Sequence, residues 1–178
     1  MRNLRLYGDP VLRRKARPVD QFDAGLKELV QDMIRTMREA RGVGLAANQV
    51  GDLRRVLTVD PSAGEHEVDA FGIVNPAITR RSGAWTDDEG CLSFPGLRIV
   101  ITRAMDVRIE GRDLGGNPVA YEATGLLARA LQHELDHLDG TLFVDRLPWT
   151  KRIAMWFRLP ELKRQYRKLV KRQAAPSE

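Results

Sequence analysis

Apolar residues recur with helical spacing most clearly in one stretch of the chain. Leu26, Leu29, Val30, Met33, Ile34 and Met37 fall at i, i+3, i+4 and i+7. This pattern predicts an amphipathic helix over residues 23–41. Asp20 or Asp23 can cap its start by accepting from free backbone N–H groups, and Gly42 is placed to end it. Before it, residues 1–19 read as an irregular arm, because Asp9-Pro10 and Arg17-Pro18 interrupt any helix. After it, Gly42-Val43-Gly44-Leu45-Ala46-Ala47-Asn48-Gln49-Val50-Gly51 reads either as a flexible loop or as backbone that approaches a ligand closely.

Between residues 53 and 122 the pattern turns to strand. Arg55–Val59, Phe71–Asn75 and Leu97–Thr102 are short β-rich runs. Residues 60–70, with Pro61, Gly64 and His66, read as a surface loop. Met105, Val107 and Ile109 alternate with Asp106, Arg108 and Glu110, as in a half-buried strand. A Gly-rich turn over 113–117 and a returning segment over 118–122 predict a hairpin. Thr124 then caps a second helix that runs to about Leu138, and Asp139-Gly140 ends it. This helix carries two apolar stripes, Leu127, Leu131, Leu135 and Leu138 on one side and Leu126, Ala130, His133 and His137 on the other. A helix apolar nearly all round is a buried one. Short, mainly antiparallel strands around this helix, with the first helix outside, give an α+β fold.

Composition narrows the class without changing this outline. The 178 residues suffice for one domain, and no apolar run reaches the length of a membrane span. The first residues lack an apolar export segment, so a cytoplasmic location is expected. The single cysteine, Cys91, precludes an internal disulfide and suits a reducing compartment. The net charge of +5 divides unevenly, with +7 over residues 151–178 and −2 over the rest. The pattern separates a body over 1–150 from a basic helical extension over 151–178. Leu162, Tyr166, Leu169 and Val170 share one face of that extension.

The chemistry centres on His133-Glu134-Leu135-Asp136-His137. Residues i and i+4 stack on one helical face, so both imidazoles can reach one metal ion with Glu134 beside them as a general base. On a buried helix an unsatisfied imidazole is costly, which favours ligands over incidental histidines. Cys91 lies 42 residues upstream of His133, in Glu89-Gly90-Cys91-Leu92-Ser93, and is a candidate third ligand. Three protein ligands with one open position make a catalytic rather than a structural site, although a carboxylate could fill the fourth place.

Three segments together resemble the peptide deformylases: residues 42–49, 89–93 and 132–137. The opening Asp9-Pro10-Val11-Leu12-Arg13 is also similar, and the resemblance covers about residues 1–150. It implies hydrolytic removal of the formyl group from the N-terminal formylmethionine of nascent polypeptides. It implies one divalent ion on Cys91, His133 and His137, ferrous iron in the cell, with zinc or nickel able to replace it. Glu134 would be the base, and Gln49 with the Leu92 N–H would form the oxyanion hole. Gly44 and Gly90 would bind the peptide main chain, Val43, Leu126 and His133 would shape the methionine pocket, and Arg98 would line the groove. Glu89 and Arg103 would form a supporting ion pair. Two positions depart from the pattern. Arg129 is expected to extend to solvent from the pocket edge, and Asp87 stands where relatives can place an apolar pocket residue.

Two other readings compete. A His-Glu-x-x-His metalloprotease would use the same chemistry, but its third ligand usually lies downstream. A ribosome- or RNA-binding protein with a structural metal would explain the basic tail, but the body lacks a basic face interleaved with aromatics. The tail instead suggests that the enzyme docks on the ribosome. Neither DNA nor a membrane is an expected partner.

Overall fold

A computed structural model describes residues 2–62 and 69–173, the last three as helical backbone only. His66 and most of the loop expected around it lie outside the described residues. Three α-helices, α1 (Ala24–Glu39), α2 (Gly125–Leu138) and α3 (Trp149–Gln173), accompany seven strands. The strands are β1 (Gly44–Ala46), β2 (Val56–Val59), β3 (Phe71–Ser82), β4 (Trp85–Gly90), β5 (Arg98–Arg103), β6 (Asp106–Arg112) and β7 (Pro118–Thr124). Five form an antiparallel sheet in the order β1-β2-β3-β6-β7, and β4 and β5 pair as a separate ribbon. The architecture is the expected α+β.

The central strands are buried on both faces, so successive side chains serve different helices. In β2, Leu57 and Val59 join the apolar cluster of α2, which includes Ala128, Leu131 and Leu138. Val56 joins the cluster of α1, which includes Leu26, Leu29, Val30, Met33 and Met37. Thr58 points the same way, with its hydroxyl on the Leu45 carbonyl at 3.3 Å. The sheet thus separates two cores. Each large aliphatic side chain buried there contributes roughly 1.5–3 kcal/mol.

Local signals set several boundaries. Asp23 caps α1 by accepting from the Leu26 N–H at 2.8 Å. The helix closes earlier than expected, because Arg41 takes the left-handed turn at φ 55° and the Gly42 N–H bonds the Met37 carbonyl. Glycine at 42 answers a different need: a Cβ there would stand 2.7 Å from Leu92 Cδ1. Strand β3 continues seven residues past the expected Asn75. Pro76, which cannot donate to the ladder, is absorbed by a register shift between Val74 and Ala77, with Asn75 at φ 52°. The Asn75 amide holds the arm at both the N–H and C=O of Val19. The 42–51 segment is buried strand followed by a 3-10 turn, not a flexible loop.

Thr124 stands at the N-cap of α2, although its side chain makes no capping bond. Leu126 in the first turn is exposed, so the second apolar stripe is interrupted there. The α3 helix seats on Met155, Leu159 and Tyr166, packed around Phe94 and Phe143, whereas Leu169 and Val170 are exposed. The Tyr166 hydroxyl donates to the Pro95 carbonyl at 2.9 Å.

Candidate metal centre

Helix α2 supplies two imidazoles one turn apart, with His133 and His137 ring centroids separated by 4.9 Å. The turn after β4 brings Cys91 alongside, with its Sγ 3.2 Å from His137 Nε2. The ligand atoms of these three residues lie within 4.8 Å of one another. His133 Nδ1 meets Glu89 Oε1 at 2.6 Å. The carboxylate can only accept, so the proton is on Nδ1 and the Nε2 lone pair faces the centre. Among the described residues, buried His133 Nε2 and His137 Nδ1 have no hydrogen-bond partner. Two imidazoles and a thiol, with one lone pair already aimed and unsatisfied, fit a borderline-soft divalent ion.

Glu134 lies against this cluster, buried, with Oε2 also unpartnered among the described residues. Burial, which penalises the charged form, raises its carboxyl to about 7. The β1 backbone approaches it so closely that a Cβ on Gly44 would stand 2.7 Å from Glu134 Oε1. Close approach therefore explains that glycine, though to the Glu134 side chain, where the sequence reading expected a ligand. From the following 3-10 turn, Gln49 Oε1 accepts the Ala46 N–H at 2.8 Å. Its NH₂ consequently turns toward Ser93 Oγ at 3.2 Å and Cys91 Sγ at 3.8 Å.

Glu89 organises the next layer. Its oxygens receive Arg103 at 2.7 and 2.8 Å and Arg129 at 2.9 Å, besides His133. Burial opposes its ionisation, but Arg103 and His133 outweigh that and hold the carboxyl well below the usual carboxylate range. Arg103 also reaches Asp136 at 2.8 Å, and Asp136 pairs with Arg146. Arg129 is 3% exposed and does not extend to solvent. A buried guanidinium needs acceptors, and Glu89 and two backbone carbonyls provide them. Asp87 is exposed and lies outside the cleft lining, so it does not shape the pocket.

A cleft of about 1160 Å³ opens over the centre. Val43, Gly44, Gln49, Gly90, Cys91, Leu92, Arg98, Leu126, His133 and Glu134 all line it, so the structure brings these residues from three sequence segments to one surface. His137 lies beneath, 1% exposed. Arg98, at the rim, pairs with Asp88. Sequence reasoning missed Asn48, whose amide donates to the His137 carbonyl, and Asp136, which anchors Arg103 and Arg146. The available signal was the polar pair Asn48-Gln49 in an otherwise small and apolar run.

The family model described as polypeptide deformylase matches residues 1–152. Peptide deformylase 1 of Clostridium perfringens is 48% identical over 145 residues, covering 82% of this chain and 97% of that protein. Among solved structures, a peptide deformylase from Legionella pneumophila is 38% identical with a TM-score of 0.85, covering 99% of both chains. The peptide deformylase from Thermus thermophilus is 45% identical with a TM-score of 0.84, covering 93% of this chain and 99% of that one.

Proposed function

The chain belongs to the polypeptide deformylase family, metal-dependent hydrolases that release formate from the N-formyl group of new polypeptides, and we propose how its residues carry that reaction. The observation that carries the proposal is the convergence of Cys91, His133 and His137 with the buried carboxyl of Glu134, whose Oε2 has no partner among the described residues, under one cleft. Cys91, His133 and His137 hold a divalent ion, ferrous iron in the cell, with zinc or nickel able to substitute. When bound, the ion supplies Lewis acidity to a water and to the formyl oxygen.

Glu134 removes the proton from the attacking water and returns it to the leaving amine. Its carboxyl, raised to about 7, is matched to both directions of transfer near neutral pH. The Gln49 NH₂, oriented because its oxygen is committed to the Ala46 N–H, and the Leu92 N–H stabilise the oxyanion. Gly44 and Gly90 present main-chain groups to the peptide, and the missing Cβ at 44 leaves room for Glu134. Val43, Leu126 and His133 form the walls for methionine, and Arg98 contacts the peptide beyond it.

The reaction is assigned to residues 1–150. The extension over 151–178, whose charge is +7, is proposed to dock the enzyme on the ribosome near emerging chains. No helix among the described residues is long and apolar enough to cross a membrane, and a cytoplasmic site of action accords with the substrate.

The protein purified without oxygen should release formate from formyl-Met peptides with one metal ion per chain. Cleavage of internal peptide bonds in preference to formate release would replace this reading with a metalloprotease. Removing residues 160–178 should weaken ribosome association; unchanged association would reject the docking role.

A further inference from the structure

The ribbon that delivers Cys91 shares no backbone ladder with the five-stranded sheet. The metal ligands therefore sit on two bodies, Cys91 beside the β4–β5 ribbon and both histidines on α2. Something must hold the two in register to within a few tenths of an ångström for a metal site. Arg129 is placed to do so. It lies on α2 one turn before His133, buried. Its Nη1 donates to Glu89 Oε2 at 2.9 Å and to the Ile101 carbonyl of β5 at 3.2 Å. Its Nη2 donates to the Trp85 carbonyl of β4 at 2.9 Å. The guanidinium also lies over the Trp85 ring, 4.6 Å from its centroid. One side chain thus ties α2 to both strands of the ribbon.

The same contact controls a ligand. Glu89 receives four donors, two from Arg103, one from Arg129 and one from His133. A carboxylate has about four lone-pair sites, so none is left to rotate onto another donor. Without Arg129, Oε2 keeps only the Arg103 Nε–H, and the Oε1 contact that fixes the His133 tautomer loses its brace.

We propose that Arg129 is a positioning residue for the metal centre, holding His133 through Glu89 and the Cys91 ribbon through Trp85 and Ile101. This rests on the ligand set given above. A lysine cannot take its place, because a single ammonium cannot span the carboxylate and two carbonyls in the fixed fork that a guanidinium provides.

The test is metal affinity measured by chelator competition, with the visible spectrum of the cobalt(II)-loaded protein as the report on ligand geometry. Arg129→Met should weaken metal binding by about 10–100-fold and alter the cobalt spectrum, the range found for residues that orient ligands. Arg129→Lys should give a smaller loss in the same direction, and Trp85→Leu, which removes only the ring, a smaller one again. Arg146→Met breaks an ion pair in the same network without touching Glu89 and should leave affinity and spectrum unchanged. If Arg129→Met fails to fold, Arg129→Lys and Trp85→Leu decide the matter. Parent-like affinity and spectrum in the Arg129 variants, or in both Arg129→Lys and Trp85→Leu where Arg129→Met does not fold, would overturn the proposal. A parent protein that binds no divalent ion would instead refute the ligand set.

Discussion

Helices α1 and α2 are of similar length, 16 and 14 residues, and both are amphipathic, yet they bury different things. The buried positions of α1 are Leu26, Leu29, Val30, Met33 and Met37, with Thr36 as the one polar member. Helix α2 is buried without a break from Ala128 to Leu138, and that run includes Arg129, Gln132, His133, Glu134, Asp136 and His137. Burying a polar group without a partner costs roughly 2–7 kcal/mol on transfer scales, so such a helix persists only if its polar groups find partners. Most do: Arg129 on Glu89, Gln132 on both backbone groups of Ala104, and Asp136 on two arginines. The α2 atoms without a partner among the described residues are Arg129 Nε, His133 Nε2, Glu134 Oε2 and His137 Nδ1, and three of the four belong to the His-Glu-x-x-His stretch. The difference teaches where to look for chemistry. In α1 burial serves stability, and in α2 the unsatisfied remainder of burial marks the site.

If that division is right, substitutions in the two helices and their partners should separate stability from chemistry. Cys91→Ala should remove both metal and activity, read by metal analysis of the purified protein; full metal occupancy would dismantle the ligand set. Glu134→Ala should keep the metal and lower kcat/KM for a formyl-Met peptide by about 10²–10⁴-fold, the usual contribution of a general acid–base. Loss of metal in that variant would make Glu134 a structural group. On the other helix, Leu29→Ala should cost about 2–5 kcal/mol in denaturant unfolding and leave the kcat of the folded protein near its parent value. Asp23→Ala, which removes only the cap on the Leu26 N–H, should cost about 1 kcal/mol with no change in metal content. A large kinetic effect from either α1 substitution would blur the distinction drawn between the helices.

Much of this was legible in the sequence because it depends on short-range pattern. The 3.6-residue period of Leu26 to Met37 locates α1, alternation over 105–110 locates β6, and the i, i+4 spacing of His133 and His137 places two candidate ligands on one face. Strand β4 was not legible: Trp-Thr-Asp-Asp-Glu-Gly has little strand character, and only its pairing with β5 makes it a strand. Pro76 hid the second half of β3, because a bulge is a property of the pair and not of one segment. The fate of Arg129 was not legible either, since whether an arginine stem leads to water or to a buried carboxylate depends on what the neighbouring strands present.

The sequence by itself determined the donor chemistry: two imidazoles at helical spacing, one thiol and one carboxyl, in a chain with a single cysteine and three histidines. Residue identity and local periodicity are enough for that. Only the tertiary structure decided that Cys91 reaches His137, that Gly44 makes room for Glu134, and that Glu89 is locked by two arginines from different elements. Those contacts join residues dozens of positions apart. Their geometry is set by the register of strands and the seating of α2, which no local stretch of sequence encodes alone.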